Sequence, residues 1–196
     1  MRVPRLTCAS GVLAILLAGA GVGRASAQVL GAPVTISMAA TQPGLLTVTV
    51  QSGGVQSIPS LTSNAINPFP TPVQIFTQWD IRPNTGSAMS LVAYFSVPAQ
   101  ALTTGATNIP SSRVEARMTT GSVPAFTPIT GNGVGGVGTP GGSVVLWTNN
   151  CFASSNAAAC RRANRTDQLD LQLNLTGLTL PPGTYAGTLT LRAVLY

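Results

Sequence analysis

Along most of the chain, apolar and polar residues alternate in short runs broken by Gly, Pro, Asn and Ser, the period-2 signature of half-buried strands. Leu169, Leu171, Leu173 and Leu175 alternate with Gln168, Asp170, Gln172 and Asn174, and only an extended strand puts those sets on separate faces, one for a core and one for water. The run is expected to span Asp167–Leu175. The last segment, Thr184–Tyr196, sets Tyr185, Leu189, Leu191, Ala193 and Leu195 against Thr188, Thr190 and Arg192. Between these two runs, Leu180-Pro-Pro-Gly183 is a turn signal. Further strands are expected over Val34–Ala39, Leu45–Gln51, Val73–Ile81, Met89–Val97, Arg113–Thr119, Ala125–Thr130 and Ser143–Thr148, with Ile58–Leu61 as a short extra candidate. In Val73–Ile81 the inward set is Val73, Ile75, Thr77, Trp79 and Ile81, which leaves Phe76 and Asp80 on the opposite face. Trp79 and Trp147 are expected as core anchors. The one helical candidate is a single turn at Ala157–Arg162.

This pattern predicts an all-β fold, a single immunoglobulin-like β-sandwich of about seven to nine antiparallel strands. A small outer-membrane β-barrel is the rival architecture, because the last strand ends in Tyr196. Only 5% of the chain is aromatic, however, and a barrel needs aromatic girdles at both interfaces. Two stretches break the strand rhythm. Residues 52–72 hold Gly53-Gly54, Pro59, Pro68, Pro70 and Pro72, so a long surface crossover is expected. Thr130–Gly142 holds seven glycines and, with so little to pack, reads as a mobile hairpin tip or loop. It lacks the Gly-Lys-Ser/Thr ending and the following helix of a phosphate-binding loop.

Residues 1–27 have the three parts of a secretory signal: Arg2 and Arg5, an apolar run from Leu6 to Val22, and the small-residue site Ala25-Ser26-Ala27. Cleavage before Gln28 is expected, leaving residues 28–196 as one exported domain in the periplasm, at the cell surface or outside the cell. A membrane anchor is the alternative, but the run sits at the short end of the ~17–25 residue spanning range. Export also bears on Cys151 and Cys160, which an oxidising compartment would close into a local disulfide. A zinc site would need two more ligands, and a redox pair a tighter Cys-x-x-Cys spacing.

Only 7% of residues are charged, the formal net charge is +6, all ten cations are arginines and there is no histidine. Beyond residue 27, seven arginines face four carboxylates, a net charge of +3. The commonest general base, the commonest metal ligand and the Schiff-base amine are therefore all missing. Of the carboxylates Asp80, Glu115, Asp167 and Asp170, the last two are three apart on a strand and point to opposite faces. A non-enzymatic protein without cofactor or metal is expected. Arg161, Arg162 and Arg165 cluster beside the cysteine loop and form a candidate patch for phosphates of lipopolysaccharide or an acidic glycan. The plainer alternative is a solvated loop neutralised by Asp167 and Asp170. Without interleaved aromatics the cluster does not predict nucleic-acid binding. Phe69, Phe126 and Phe152 lie in or beside expected loops, where they are candidates for stacking on a glycan.

The stretch Leu180-Pro-Pro-Gly-Thr-Tyr-Ala-Gly-Thr-Leu-Thr-Leu191 resembles the closing hairpin of exported bacterial immunoglobulin-like and pilin-like domains. It is similar to the last strands of spore-coat-U-type surface proteins, whose chains can also end in Tyr. The resemblance covers Leu180–Tyr196 and implies an immunoglobulin-like fold in a surface or assembly subunit. Tyr185 is expected as a corner residue, its ring in the core and its hydroxyl on a backbone group. Two functions follow as expectations. One is a structural subunit, pilin-like or surface-layer-associated, that joins itself or another subunit through an edge strand, with Val34-Thr-Ile-Ser-Met38 as the donated segment. The other is a free-standing binding module for a glycan or an anionic surface.

Overall fold

The longest alternating run becomes the longest strand. The computed structural model describes residues 44–81, 88–153 and 160–196, which lie in one compact unit, Thr41–Tyr196. The expected signal segment, the Val34–Ala39 strand and the first half of the helical turn at Ala157–Arg162 lie outside the described residues. Among those described, eleven strands follow in chain order: β1 (Leu45–Ser52), β2 (Ile66–Pro68), β3 (Val73–Asp80), β4 (Met89–Tyr94), β5 (Leu102–Thr103), β6 (Asn108–Ile109), β7 (Val114–Met118), β8 (Val123–Pro128), β9 (Ser143–Asn149), β10 (Arg162–Asn174) and β11 (Thr190–Leu195). The six-stranded sheet runs β1-β3-β10-β7-β8, with β2 also on β10, and the three-stranded sheet runs β11-β4-β9. Every pairing within these two sheets is antiparallel. The all-β sandwich expectation holds, and the described strands form open sheets with distinct edges rather than a closed barrel.

β10 starts five residues earlier than its leucine pattern suggests, because Arg162–Thr166 pairs with β3, from Arg162 opposite Asp80 to Thr166 opposite Phe76. Its other half pairs β7 on one side and β2 on the other. The inner row of β10, Leu169, Leu171 and Leu173, meets Val73, Ile75 and Trp79 of β3 and Val114, Ala116 and Met118 of β7 in one buried cluster. From the smaller sheet Met89, Leu91, Ala93, Leu146 and Trp147 close the same cluster. Both tryptophans are buried as expected, their ring centroids 6.1 Å apart.

Four expectations need correction. The short strand at Ile58–Leu61 does not form; the crossover instead contributes β2. Arg162, placed in a helical turn on sequence, is a strand residue of β10. β11 begins at Thr190 rather than Thr184, because the backbone of Ala186 turns aside to exchange two hydrogen bonds with Thr103 of β5, at 2.8 and 3.0 Å. The glycine-rich stretch is a hairpin tip as expected, with Val134 bridged to Val137, but it is packed rather than free. Gly135 has φ +57°, and a Cβ there would sit 2.9–3.0 Å from Tyr196 and Val194, so the absence of a side chain is what lets this loop lie against β11.

Candidate functional site: an open seam between two strand edges

Five strand edges bound the two main sheets, and they are protected unequally; β2 is only three residues long and ends in Pro68. β8 carries Pro124 and Pro128, which cannot donate to a further strand. β9 is flanked by Gly131, which bridges Ser143, and by Ser122, whose N–H donates to the Leu146 carbonyl at 2.6 Å. β1 and β11 have no such guard. Among the described residues β1 pairs only β3 and β11 only β4, and the two strands approach each other with no ladder between them. β1 reads Leu-Leu-Thr-Val-Thr-Val-Gln-Ser, without charge or proline, and its residues are exposed or half-buried throughout. A long, uncharged edge of this kind is a ready template for another strand.

Where Val50 of β1 and Leu191 of β11 come to it, one end of this seam meets an open cleft of about 970 Å³. Val50, Gly53, Gly54 and Ile58 form one wall, and Leu180, Tyr185, Leu189 and Leu191 form the other. Its floor is apolar: Leu169, Leu171 and Leu173 of β10, Val114 of β7, Val73 of β3, and Phe69. Val50 at the rim is 41% exposed and Val55 in the adjoining loop 92%. Tyr185 makes the expected backbone bond, its hydroxyl donating to the Pro181 carbonyl at 3.0 Å, while its ring is half-buried against the core and lines the cleft rather than entering the core. The arrangement can bind an extended apolar segment, by main-chain hydrogen bonds to the two edges and side chains directed into the cleft.

The residues singled out on sequence are dispersed rather than gathered. Phe152 is buried at 6% exposure in a 3-10 turn, which removes it as a surface platform. Phe69 packs on the core at the floor of the cleft. Phe126 lies in β8 rather than in a loop, under the Arg117 guanidinium at 4.5 Å, and that arginine donates twice to Asp170. The three arginines form no common patch. Arg162 points outward and pairs with Asp80 at 2.5 Å. Arg165 points inward: its Nε donates to Asp167 at 2.6 Å, and its guanidinium lies 4.6 Å over the Trp147 ring. The Asp167 side chain is only 1% exposed and also accepts from the Thr120 hydroxyl at 2.8 Å. Arg161 keeps a buried Nε with no hydrogen-bond partner among the described residues. Strand alternation separates the cluster, because adjacent residues on β10 face opposite ways.

Cys151 and Cys160 form the expected disulfide, Cα atoms 6.1 Å apart, and the Cys160 carbonyl accepts the Trp79 indole N–H at 2.7 Å. Among the described residues no group of three His, Cys, Asp or Glu could hold a metal ion. Sequence reasoning missed the seam itself. β1 is a long strand pattern without charge or proline, but β4 and β9 share that character, and which edges stay open depends on pairing order.

Comparison with known proteins finds no matching family model, no matching curated protein and no matching solved structure. The likeness of the closing hairpin to pilin-like domains therefore rests on Leu180–Tyr196 alone.

Proposed function

We propose that this chain is an exported, non-enzymatic assembly subunit that joins a second copy of itself by accepting an extended segment into the seam between β1 and β11. The open seam beside a cleft with an apolar floor carries this reading. Val34-Thr-Ile-Ser-Met38 suits the role of the inserted segment: it is uncharged, and Val34, Ile36 and Met38 fall on one face of a strand. Burying three such side chains is worth about 1.5–3 kcal/mol each, which offsets the ordering cost of association. Strand addition also completes the exposed backbone edges, which a small-molecule ligand would leave unpaired. The pilin-like character of the closing hairpin points the same way, and the lack of histidine and lysine fits a structural rather than a catalytic role.

The test is the mass of the mature chain, residues 28–196, by size-exclusion chromatography with light scattering over a range of concentrations. Multimers are expected for the unaltered chain, and Ile36→Asp is expected to shift them to monomers, because the cleft floor offers a carboxylate no partner. An unaltered chain that stays monomeric throughout, or multimers indifferent to Ile36→Asp, would remove the basis for assembly by strand insertion.

A further inference from the structure

The outer face of the six-stranded sheet is used neither by the core nor by the seam. Residues directly opposite one another in antiparallel strands share a face, so the register fixes which side chains stand in line. Crossing from β1 through β3 to β10, Thr47, Gln78 and Asn164 make one row and Thr49, Phe76 and Thr166 the next. Gln74 and Gln168 follow, joined by a side-chain hydrogen bond of 3.4 Å. Thr47, Thr49, Gln78, Asn164, Thr166 and Gln168 are exposed, and Phe76 and Gln74 are half-buried. The three rows cover about 14 Å along the strands and about 10 Å across them.

Across β1, β3 and the part of β10 opposite them, the charges on this face stand only at the ends of the strip, and Glu115 of β7 lies further on, held by Gln172 and Asn174. Arg162 and Asp80 neutralise each other beyond the first row, and Arg117 and Asp170 do so beyond the third. Between the two ion pairs stand only amides, hydroxyls and one aromatic ring. Amide and hydroxyl side chains both donate and accept hydrogen bonds, as sugar hydroxyls do. An aromatic ring offers a flat apolar plane to the C–H face of a sugar ring. An uncharged field matches an uncharged polymer and gives no attraction to an acidic one. A broad strip with its aromatic in the middle suits a ribbon that continues past both sides, rather than a small sugar held in a pit.

We propose that this face binds a neutral, ribbon-shaped polysaccharide, with one sugar ring stacked on Phe76 and the neighbouring rings hydrogen-bonded by Gln78, Asn164, Thr49 and Thr166. The site takes the place of Phe69, Phe126, Phe152 and the arginine cluster as the glycan-recognising surface. It is independent of strand assembly, since it uses the face of the sheet and leaves the edge of β1 open.

Depletion of the mature chain from solution by microcrystalline cellulose and by chitin tests the proposal, with an acidic polysaccharide resin as the charged counterpart. Binding to at least one neutral polymer is expected, little changed between low and high salt, because no ion pair is involved. Phe76→Ala is expected to weaken it about tenfold or more. Thr166→Glu, an exposed substitution beside Phe76, is expected to weaken it similarly at unchanged melting temperature, which separates loss of the site from loss of the fold. The proposal is overturned if neither neutral polymer depletes the chain, if Thr166→Glu and Phe76→Ala both bind as well as the unaltered chain, or if only the acidic resin binds and salt releases it.

Discussion

Asp167 is the most deeply buried carboxylate of the described residues, and the fold surrounds it with Arg165, the Thr120 hydroxyl and, through Arg165, the Trp147 ring. Asp167→Ala would leave Arg165 without its partner at the edge of the core. The expected cost is about 3 kcal/mol, read as a lower urea midpoint at unchanged slope. Tyr185→Phe removes a single hydroxyl whose partner, the Pro181 carbonyl, remains near water, so a loss of only about 1 kcal/mol is expected in the same assay. Tyr185 was legible because its bond is local and set by a short turn. The Arg165–Asp167 pair was legible in principle, since residues two apart on a strand share a face. Neutralisation of the cluster by Asp167 was anticipated, but its burial was hidden, because the run Asn164–Thr166 read as loop until its pairing with β3 made it strand.

Among the elements, those specified by their own alternation were legible and those specified by partners were not. β3, β4, β9 and the leucine half of β10 carry enough inward apolar residues to define a strand alone. β2, β5 and β6 have three, two and two residues, too few for a period to show, and exist because a neighbouring backbone offers hydrogen bonds. The glycine-rich hairpin was legible as a loop, but its packing on β11 was not, because close approach leaves no hydrophobic signal. Gly135→Val, which combines a left-handed backbone with a clash against Tyr196 and Val194, is expected to cost about 2 kcal/mol or more, measured as a fall in melting temperature. The disulfide closes a separation of nine residues. Replacing both cysteines by serine is expected to remove about 2.5 kcal/mol, and chemical unfolding under non-reducing conditions checks this.

At the scale of the whole molecule, the two sheets are guarded along one side of the sandwich and open along the other. Pro124 and Pro128 blunt β8, and the Gly131–Ser143 bridge covers β9, while β1 and β11 each contribute a residue to a cleft with an apolar floor and have their edges unpaired among the described residues. This asymmetry was not readable from hydrophobic periodicity, which reports the faces of strands and is silent on the order in which they pair. It also keeps the two proposed roles apart, because an added strand would extend the face that bears Phe76 rather than cover it. Cross-linking reports on the insertion most directly. Mature chain carrying Ile36→Cys is mixed with mature chain carrying Val50→Cys at the rim of the cleft, and the mixture is oxidised mildly. A covalent dimer containing one of each chain, absent when either partner lacks its introduced cysteine, is the predicted result; mixed chains that yield no such dimer while remaining folded would contradict insertion at the seam.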